Sequence, residues 1–178
     1  GNKKIDISVI NKTANLMKNR GPDFFGYKNF QINRKNIYLL HSRLSIIDLN
    51  ERSNQPYIFR NWIIVFNGEI YNYIELKKEL QAFGYKFSTT SDTEVLIKSL
   101  DCYGEDAFDK FEGMWACAIF NKKTSNLIIS RDRFGEKPLY YKHTIDGFFF
   151  GSETKFIQEL SLDKSSPNTT KCKNFLLY

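Results

Sequence analysis

The spacing of apolar residues divides the chain into helical and extended segments. Apolar positions recur every three or four residues over residues 8–19, 69–83 and 91–104, which predicts three amphipathic helices. Shorter patterns of the same period predict helices over residues 106–111 and 152–160. Helices in the middle of the chain, with extended runs before and after them, are typical of a mixed fold built on antiparallel sheet.

The extended runs are short and rich in β-branched and aromatic residues. Two of them, residues 62–66 and 115–120, are apolar at successive positions, so both of their faces must be covered. Two stacked sheets with helices outside them satisfy this requirement, and the fold class predicted is α+β. The predicted strands lie at residues 37–40, 44–47, 62–66, 114–120, 127–130, 139–142 and 147–151, and the last four form two hairpins.

Composition excludes several kinds of protein. The 178 residues suffice for one domain with a core, and no apolar run approaches the roughly 20 residues that span a bilayer. The net charge is +6, but the basic residues are dispersed among acidic ones. This favours a solvated surface over a surface that binds nucleic acid. Three widely spaced cysteines and two histidines fit neither a disulfide framework nor a metal site. Together with the lack of a visible secretory leader, they predict a reducing, cytoplasmic setting.

The first chemical signal is the pair Asn67-Gly68. The predicted strand 62–66 runs into this pair and then, by its apolar spacing, into a helix that begins at Glu69. Asn-Gly normally forms a hairpin turn, but no second strand follows it here. A strand that ends in this way directs a side-chain amide and a backbone N–H at one point, which is the geometry of an oxyanion hole.

Three charged residues elsewhere in the sequence could complete a site with this pair. Arg43 lies in an apolar neighbourhood and needs an anionic partner, either an internal carboxylate or a ligand carboxylate. Ser91 and Glu94 match a capping box, so Asp92 is either a favourable first-turn charge or a partner for a ligand ammonium. With Glu69, predicted in the first turn of its own helix, these groups fit an α-amino acid that has a side-chain carbonyl.

A nucleophile for attack on that carbonyl is harder to find. Cys117 lies inside the most apolar run, where a small buried hydrophobe is the better interpretation. Cys102 lies on a predicted helix and Cys172 in the polar tail, and neither has an evident activating base. No serine lies in a nucleophile-elbow pattern.

Five motifs occur in order along the chain: Arg20–Asp23, His41–Asp48, Phe66–Asn72, Ser91–Leu96 and Arg131–Tyr141. On these motifs the chain closely resembles the glutaminase domain of the glutamine-hydrolysing asparagine synthetases, over roughly residues 18–157. That domain is a class II glutamine amidotransferase of the N-terminal-nucleophile hydrolase type.

The resemblance implies a four-layer α-β-β-α sandwich of two mainly antiparallel sheets. It implies an amidotransferase domain over residues 1–160 and a linker over 161–178 toward an ATP-binding synthetase domain. L-glutamine would be hydrolysed to glutamate and ammonia, and the ammonia would amidate aspartate in the synthetase domain. No metal or cofactor is expected here, because ATP and Mg belong to the synthetase domain, and the parent protein is a candidate homodimer.

The resemblance also implies roles for individual residues. Asn67 and Gly68 would form the oxyanion hole. Glu69 and Asp92 would contact the amino-acid end of glutamine, with Asp92 on the ammonium. The carboxylate end would be bound by Arg43 and the backbone that follows it, through Leu44, Ser45, Ile46 and Ile47.

The sequence departs from the family pattern at its start. Family members begin with Cys-Gly-Ile, whose cysteine attacks the amide with its own α-amine as base, whereas this chain begins Gly1-Asn2-Lys3. The short spacing to the first motif favours a missing first strand over a natural replacement, so we expect the chain as given to be inactive. Asn19 replaces the usual histidine before Arg20. The given sequence stops near the point where we expect the linker to lead into the synthetase domain.

Two other functions fit the same sequence. One is a related amidotransferase that acts on a different carboxylate, for instance in surface-polysaccharide synthesis. The other is a module without a nucleophile that binds glutamine or a partner and does not turn it over.

Overall fold

A computed structural model describes residues 4–162 and 169–171. Within residues 4–162 the chain forms five α-helices and eight strands, with 3-10 turns at Glu51–Ser53 and Gly104–Asp106. In chain order the elements are α1 (Ile7–Met17), β1 (Phe24–Ile32), β2 (Lys35–Arg43), β3 (Tyr57–Phe59), β4 (Trp62–Ile70), α2 (Tyr73–Ala82), α3 (Asp92–Tyr103), α4 (Ala107–Lys110), β5 (Gly113–Asn121), β6 (Asn126–Arg131), β7 (Tyr140–Thr144), β8 (Gly147–Gly151) and α5 (Thr154–Ser161).

The central sheet consists of β3, β4, β5 and β6, all antiparallel to their neighbours. Because side chains alternate along a strand, β4 contributes to two separate cores. Ile64 and Phe66 are buried against α2 and α3, whereas Ile63 and Val65 are buried toward Leu39 of β2. Both faces of the sheet are therefore covered, as the continuous apolar runs predict.

The opposite layer consists of two hairpins, β1-β2 and β7-β8, which share no strand pairing. α1 and α5 contact each other and cover this layer from outside, α1 against β2 and α5 against β7 and β8. The layers thus follow the predicted order of helices, strands, strands and helices, and the sheets are antiparallel as predicted. The difference is that the second sheet is divided, and a largely apolar cavity of about 580 Å³ lies between its hairpins and the central sheet.

Two local predictions around the end of β4 are wrong. β4 continues through Asn67 and Gly68 to Ile70, so this pair lies within a strand and not at its end. The strand is prolonged because β5 pairs with it along its whole length, to the Ile70–Gly113 pair. Glu69 is consequently a strand residue, and α2 begins at Tyr73.

The segment 44–47 is also not a strand, because it forms a loop at whose end the Ile47 carbonyl accepts a bond from Arg43. The pattern missed β1 and β3, which are largely half-exposed and lack a clean alternation. It located the remaining helices and strands to within a few residues.

The capping box is only half formed. The Ser91 hydroxyl accepts a bond from the Thr93 N–H, as a helix cap does. Glu94 turns away from Ser91 and accepts bonds from Ser88 and Thr89 instead. α3 ends at Gly104, whose φ of +65° suits a residue without a side chain.

Most of the predicted linker over residues 161–178 lies outside the described residues, and so does Cys172. None of the described helices has the length and apolar character needed to cross a bilayer. Residues 4–162 and 169–171 contain no group of three or more metal-ligating side chains that could hold an ion.

Candidate active site

A pocket of about 240 Å³ lies where the end of β2, the end of β4 and the start of α3 meet. It is lined by every residue of the predicted site except Ser45, namely Arg43, Leu44, Ile46, Ile47, Asn67, Gly68, Glu69 and Asp92. The backbone N–H of Ser45 donates to the Asp23 carboxylate at 2.7 Å. The fold therefore gathers three distant sequence segments around one small cavity.

Arg43 is buried, and its guanidinium is bonded to the loop that follows it. One terminal nitrogen donates to the Asn50 carbonyl at 3.0 Å and to the Asn54 side-chain oxygen at 2.8 Å. The other donates to the carbonyls of Ile47, at 3.2 Å, and Asp48. These partners are neutral oxygens, so the internal ion pair considered from the sequence is wrong, and Arg43 fixes the loop at the rim of the pocket.

Asp48 anchors the same loop from its other side. Its carboxylate accepts bonds from the side chain of Asn50 at 2.9 Å and from the backbone N–H of Thr90 at 2.8 Å. Burial opposes ionisation of Asp48, but these bonds outweigh it and hold its pKa well below the usual value. The bond to Thr90 ties the loop to the segment just before α3.

Asn67 and Gly68 are held by bonds to the residue before them. The Phe66 N–H donates to Gln55 Oε1 at 2.6 Å, and the Phe66 carbonyl accepts from Gln55 Nε2 at 3.2 Å. His41 Nε2 lies 3.0 Å from the same carbonyl. A Cβ atom on Gly68 would lie 2.1 Å from the Met114 carbonyl oxygen, so only glycine fits there.

Asp92 is a buried residue of the pocket lining, at the start of α3. Its Oδ2 accepts a bond from the Ile70 N–H at 3.1 Å, while Ser91 caps the helix. Burial raises the pKa of Asp92 to about 6, against the opposing backbone bonds from Ile70 and Thr93, and the charge of Glu69 adds to the rise. A cationic group of a ligand would stabilise the ionised form of a buried acid that lies beside a second acid.

The arrangement suits a zwitterion. The lining of the pocket combines two acids, Glu69 and Asp92, with the loop braced by Arg43 and with Asn67 of β4. Neither of the two described thiols is suited to be the nucleophile. Cys117 is buried, and burial raises its pKa to about 12. Cys102 lies on α3 outside the pocket lining.

Sequence reasoning missed several residues of the pocket. His41 and Ser42 precede Arg43 in a motif that the sequence analysis singled out, but it gave them no role. Gln55 lies in none of the five motifs. Its role depends on its bonds to Phe66 of β4, which the sequence pattern does not reveal. Lys137 also reaches the lining from the last motif.

The whole chain, residues 1–178, matches the sequence model of a family described as the glutamine amidotransferase domain. The chain belongs to this family, which confirms the resemblance drawn from the five motifs. It is 42% identical to asparagine synthetase [glutamine-hydrolyzing] 1 of Bacillus subtilis (strain 168), over 89% of this chain and 25% of the relative.

Two further relatives come from distant organisms. The putative asparagine synthetase [glutamine-hydrolyzing] 2 of Methanocaldococcus jannaschii is 38% identical, over 95% of this chain and 35% of the relative. Asparagine synthetase [glutamine-hydrolyzing] 2 of Oryza sativa subsp. japonica is 34% identical, over 85% of this chain and 25% of the relative. The chain therefore spans between 25% and 35% of the length of these relatives.

Proposed function

We propose that this chain binds L-glutamine in the 240 Å³ pocket and forms the site at which the side-chain amide is hydrolysed. The observation that carries this proposal is the convergence of Arg43, Asn67 and Asp92 on one pocket from three separate segments. Asp92 and Glu69 take the α-ammonium. Arg43 holds the loop 44–50. The backbone N–H groups of this loop other than those of Ser45 and Asn50, with the remaining guanidinium N–H, take the α-carboxylate.

The reaction proceeds by nucleophilic substitution at the amide carbon. A cysteine thiol loses its proton to its own α-amine as the sulfur attacks, and the carbonyl oxygen becomes an oxyanion near Asn67 and Gly68. The C–N bond then breaks, and the amine delivers the proton to the leaving nitrogen as ammonia. Water hydrolyses the thioester to release glutamate and restore the thiol.

The 580 Å³ cavity supports a position beside Asn67 for that cysteine. It shares His41, Ser42, Phe66 and Asn67 with the pocket, and its lining between the two hairpins is mainly apolar. An apolar strand in the cavity would cover exposed edges of both hairpins. A cysteine at one end of that strand would lie beside Asn67.

The ammonia is consumed by the rest of a longer protein. The names of the relatives support aspartate as the acceptor, in a synthetase domain of the same parent chain. ATP and Mg act in that synthetase domain, whereas the glutaminase domain needs no cofactor. The parent protein is cytoplasmic and forms a homodimer. Sedimentation of the full parent protein measures the last point.

The experiment is a glutaminase assay on the chain extended at its N-terminus by a Cys-Gly-Ile strand with the cysteine as first residue. We expect glutamate release in that form and none when the cysteine is replaced by alanine. Asn67→Ala should lower kcat by about 100- to 1,000-fold, because it removes an oxyanion donor. Activity that survives both Asn67→Ala and Asp92→Ala undiminished would overturn the site, and glutamine binding without turnover would support a binding module.

A further inference from the structure

Three buried polar side-chain atoms of residues that line both cavities have no hydrogen-bond partner among the described residues. They are Nδ1 of His41, Oγ of Ser42 and Nδ2 of Asn67. All three residues line both the pocket and the larger cavity. A buried polar atom without a bond is costly, so such a cluster indicates a place where a ligand supplies the missing bonds.

The hydrogen-bond role of His41 follows from its other nitrogen. Nε2 lies 3.0 Å from the Phe66 carbonyl oxygen, which can only accept, so Nε2 carries the proton. Burial, together with the nearby Arg43 charge, lowers the pKa of His41 to about 4 despite that bond. The ring is neutral at neutral pH, and Nδ1 is therefore a fixed acceptor.

Asn67 has the opposite role at the same place. Its Nδ2 can only donate, and side-chain alternation along β4 puts Asn67 on the face of Ile63 and Val65, toward β2 and His41. The lining shared by the two cavities thus offers one fixed donor and one fixed acceptor. Ser42 follows His41 in β2, so alternation puts its side chain on the other face of that strand and it takes no part in this argument.

We infer that His41 is a specificity-determining residue that selects a primary carboxamide over a carboxylate at the reacting end of the ligand. A carboxamide presents an oxygen to Asn67 Nδ2 and an N–H to His41 Nδ1, so it satisfies both orphaned atoms. A carboxylate presents two acceptors, and one of them would face the His41 lone pair. This inference rests on the proposed function and extends it, because it explains how glutamine is told from its product glutamate.

Two substitutions separate this role from structural support. The side-chain nitrogen of glutamine overlaps Nε2 of histidine, so His41→Gln keeps the donor to Phe66 and loses the acceptor at Nδ1. The side-chain oxygen of asparagine overlaps Nδ1, so His41→Asn keeps the acceptor and loses the bond to Phe66. If His41 had only a structural role, His41→Asn would damage the protein and His41→Gln would not.

The test measures glutamine and glutamate binding to the chain by titration calorimetry. We expect the original chain to prefer glutamine by at least about tenfold, since a site built for a donor rejects an analogue that lacks it. His41→Gln should abolish the preference while retaining the circular-dichroism spectrum. His41→Asn should keep the preference and melt at a lower temperature. An unchanged preference in His41→Gln overturns the inference alone, whereas failure of the original chain to bind either ligand overturns the proposed function as well.

A second measurement uses the original chain alone, so its result does not depend on whether a variant folds. In ¹⁵N-histidine-labelled chain, glutamine should shift the His41 Nδ1 resonance in the direction of hydrogen-bonded imine nitrogen, and glutamate should not. Equal shifts with the two ligands, or none with glutamine, overturn the inference. Nδ1 of the exposed-strand residue His143 is the internal control and should not move.

Discussion

The Asp92 carboxylate accepts a hydrogen bond from the backbone N–H of Ile70 across 3.1 Å. Ile70 ends β4 two residues after Gly68, and Asp92 begins α3. The bond therefore fixes the distance between the acid expected to hold the ligand ammonium and the strand expected to hold the reacting carbonyl. Movement of either element would disturb both ends of the ligand.

Glutamine affinity should depend on the protonation of Asp92. Because the pKa of Asp92 in the free chain is about 6, the carboxyl is protonated below that pH, and a ligand ammonium must displace the proton. The dissociation constant should thus rise about tenfold per pH unit below 6 and level off above 7. Calorimetry between pH 5 and 8, in buffers of different ionisation enthalpy, measures both the affinity and the proton released.

The matched control for this prediction is Asp92→Asn, which removes the titration and nearly preserves the shape. It should bind glutamine weakly and without pH dependence. His41 does not interfere, because its pKa of about 4 leaves it neutral over the whole range. A wild-type affinity that is flat from pH 5 to 8 would contradict the assignment of Asp92 to the ammonium.

Arg43 should be irreplaceable by lysine. Its two terminal nitrogens reach four oxygens of Ile47, Asp48, Asn50 and Asn54, whereas an ammonium has three donors and no fork. We expect Arg43→Lys to speed amide exchange over residues 44–50 and to weaken glutamine binding by at least about tenfold, as lost charged bonds cost about 1.5–3 kcal/mol.

The control for the loop is Arg52→Lys. Arg52 is half-exposed and pairs with Asp48 at 3.3 Å, so its charge is retained in lysine and the pair contributes little. Amide exchange measured by mass spectrometry should stay unchanged in this variant. Protection of residues 44–50 that survives Arg43→Lys would show that the loop does not depend on the guanidinium.

The site residues that could be predicted from the sequence are those that each lie within a recognisable local motif. Arg43, Asn67 and Asp92 were found because each stands in a local motif, and the fold then brought them to one pocket. The conformation of the loop after Arg43 was not predictable, because residues 44–47 fit a strand pattern and the bonds from the guanidinium to the carbonyl groups of Ile47, Asp48 and Asn50 depend on the fold. His41 was missed because a histidine in a strand has no distinctive pattern, and its role depends on the Phe66 carbonyl of another strand.

Gly68 should not tolerate even a methyl group. A Cβ atom there would meet the Met114 carbonyl at 2.1 Å and the Trp115 Cα at 2.7 Å, both of them backbone atoms. Gly68→Ala must push β4 away from β5, which we expect to cost about 1–3 kcal/mol of unfolding free energy and to reduce glutamine binding. Gly151→Ala is the control, since its Cβ would have contacts no closer than 3.7 Å, and its urea midpoint should remain near that of the original chain.

The buried pair of Glu94 and Lys98 should be the most sensitive ion pair among the described residues. The two charges lie 2.5 Å apart on successive turns of α3, with side chains 1% and 5% exposed. Burial opposes ionisation of Glu94, but bonds from Lys98 and Thr89 hold its pKa at about 2. Glu94→Ala would leave the Lys98 ammonium buried without its partner and should cost about 3–5 kcal/mol.

Urea denaturation measures this loss, and Glu79→Ala provides the contrast. Glu79 pairs with Lys110 at 3.1 Å, but both side chains are about 40% exposed, so removal of this pair should cost at most about 1 kcal/mol. Replacing both Glu94 and Lys98 by apolar residues should recover only part of the stability. Glu94 also accepts backbone bonds from Ser88 and Thr89, and these donors would remain buried without a partner. Equal losses in Glu94→Ala and Glu79→Ala would mean that burial adds nothing to the pair in α3.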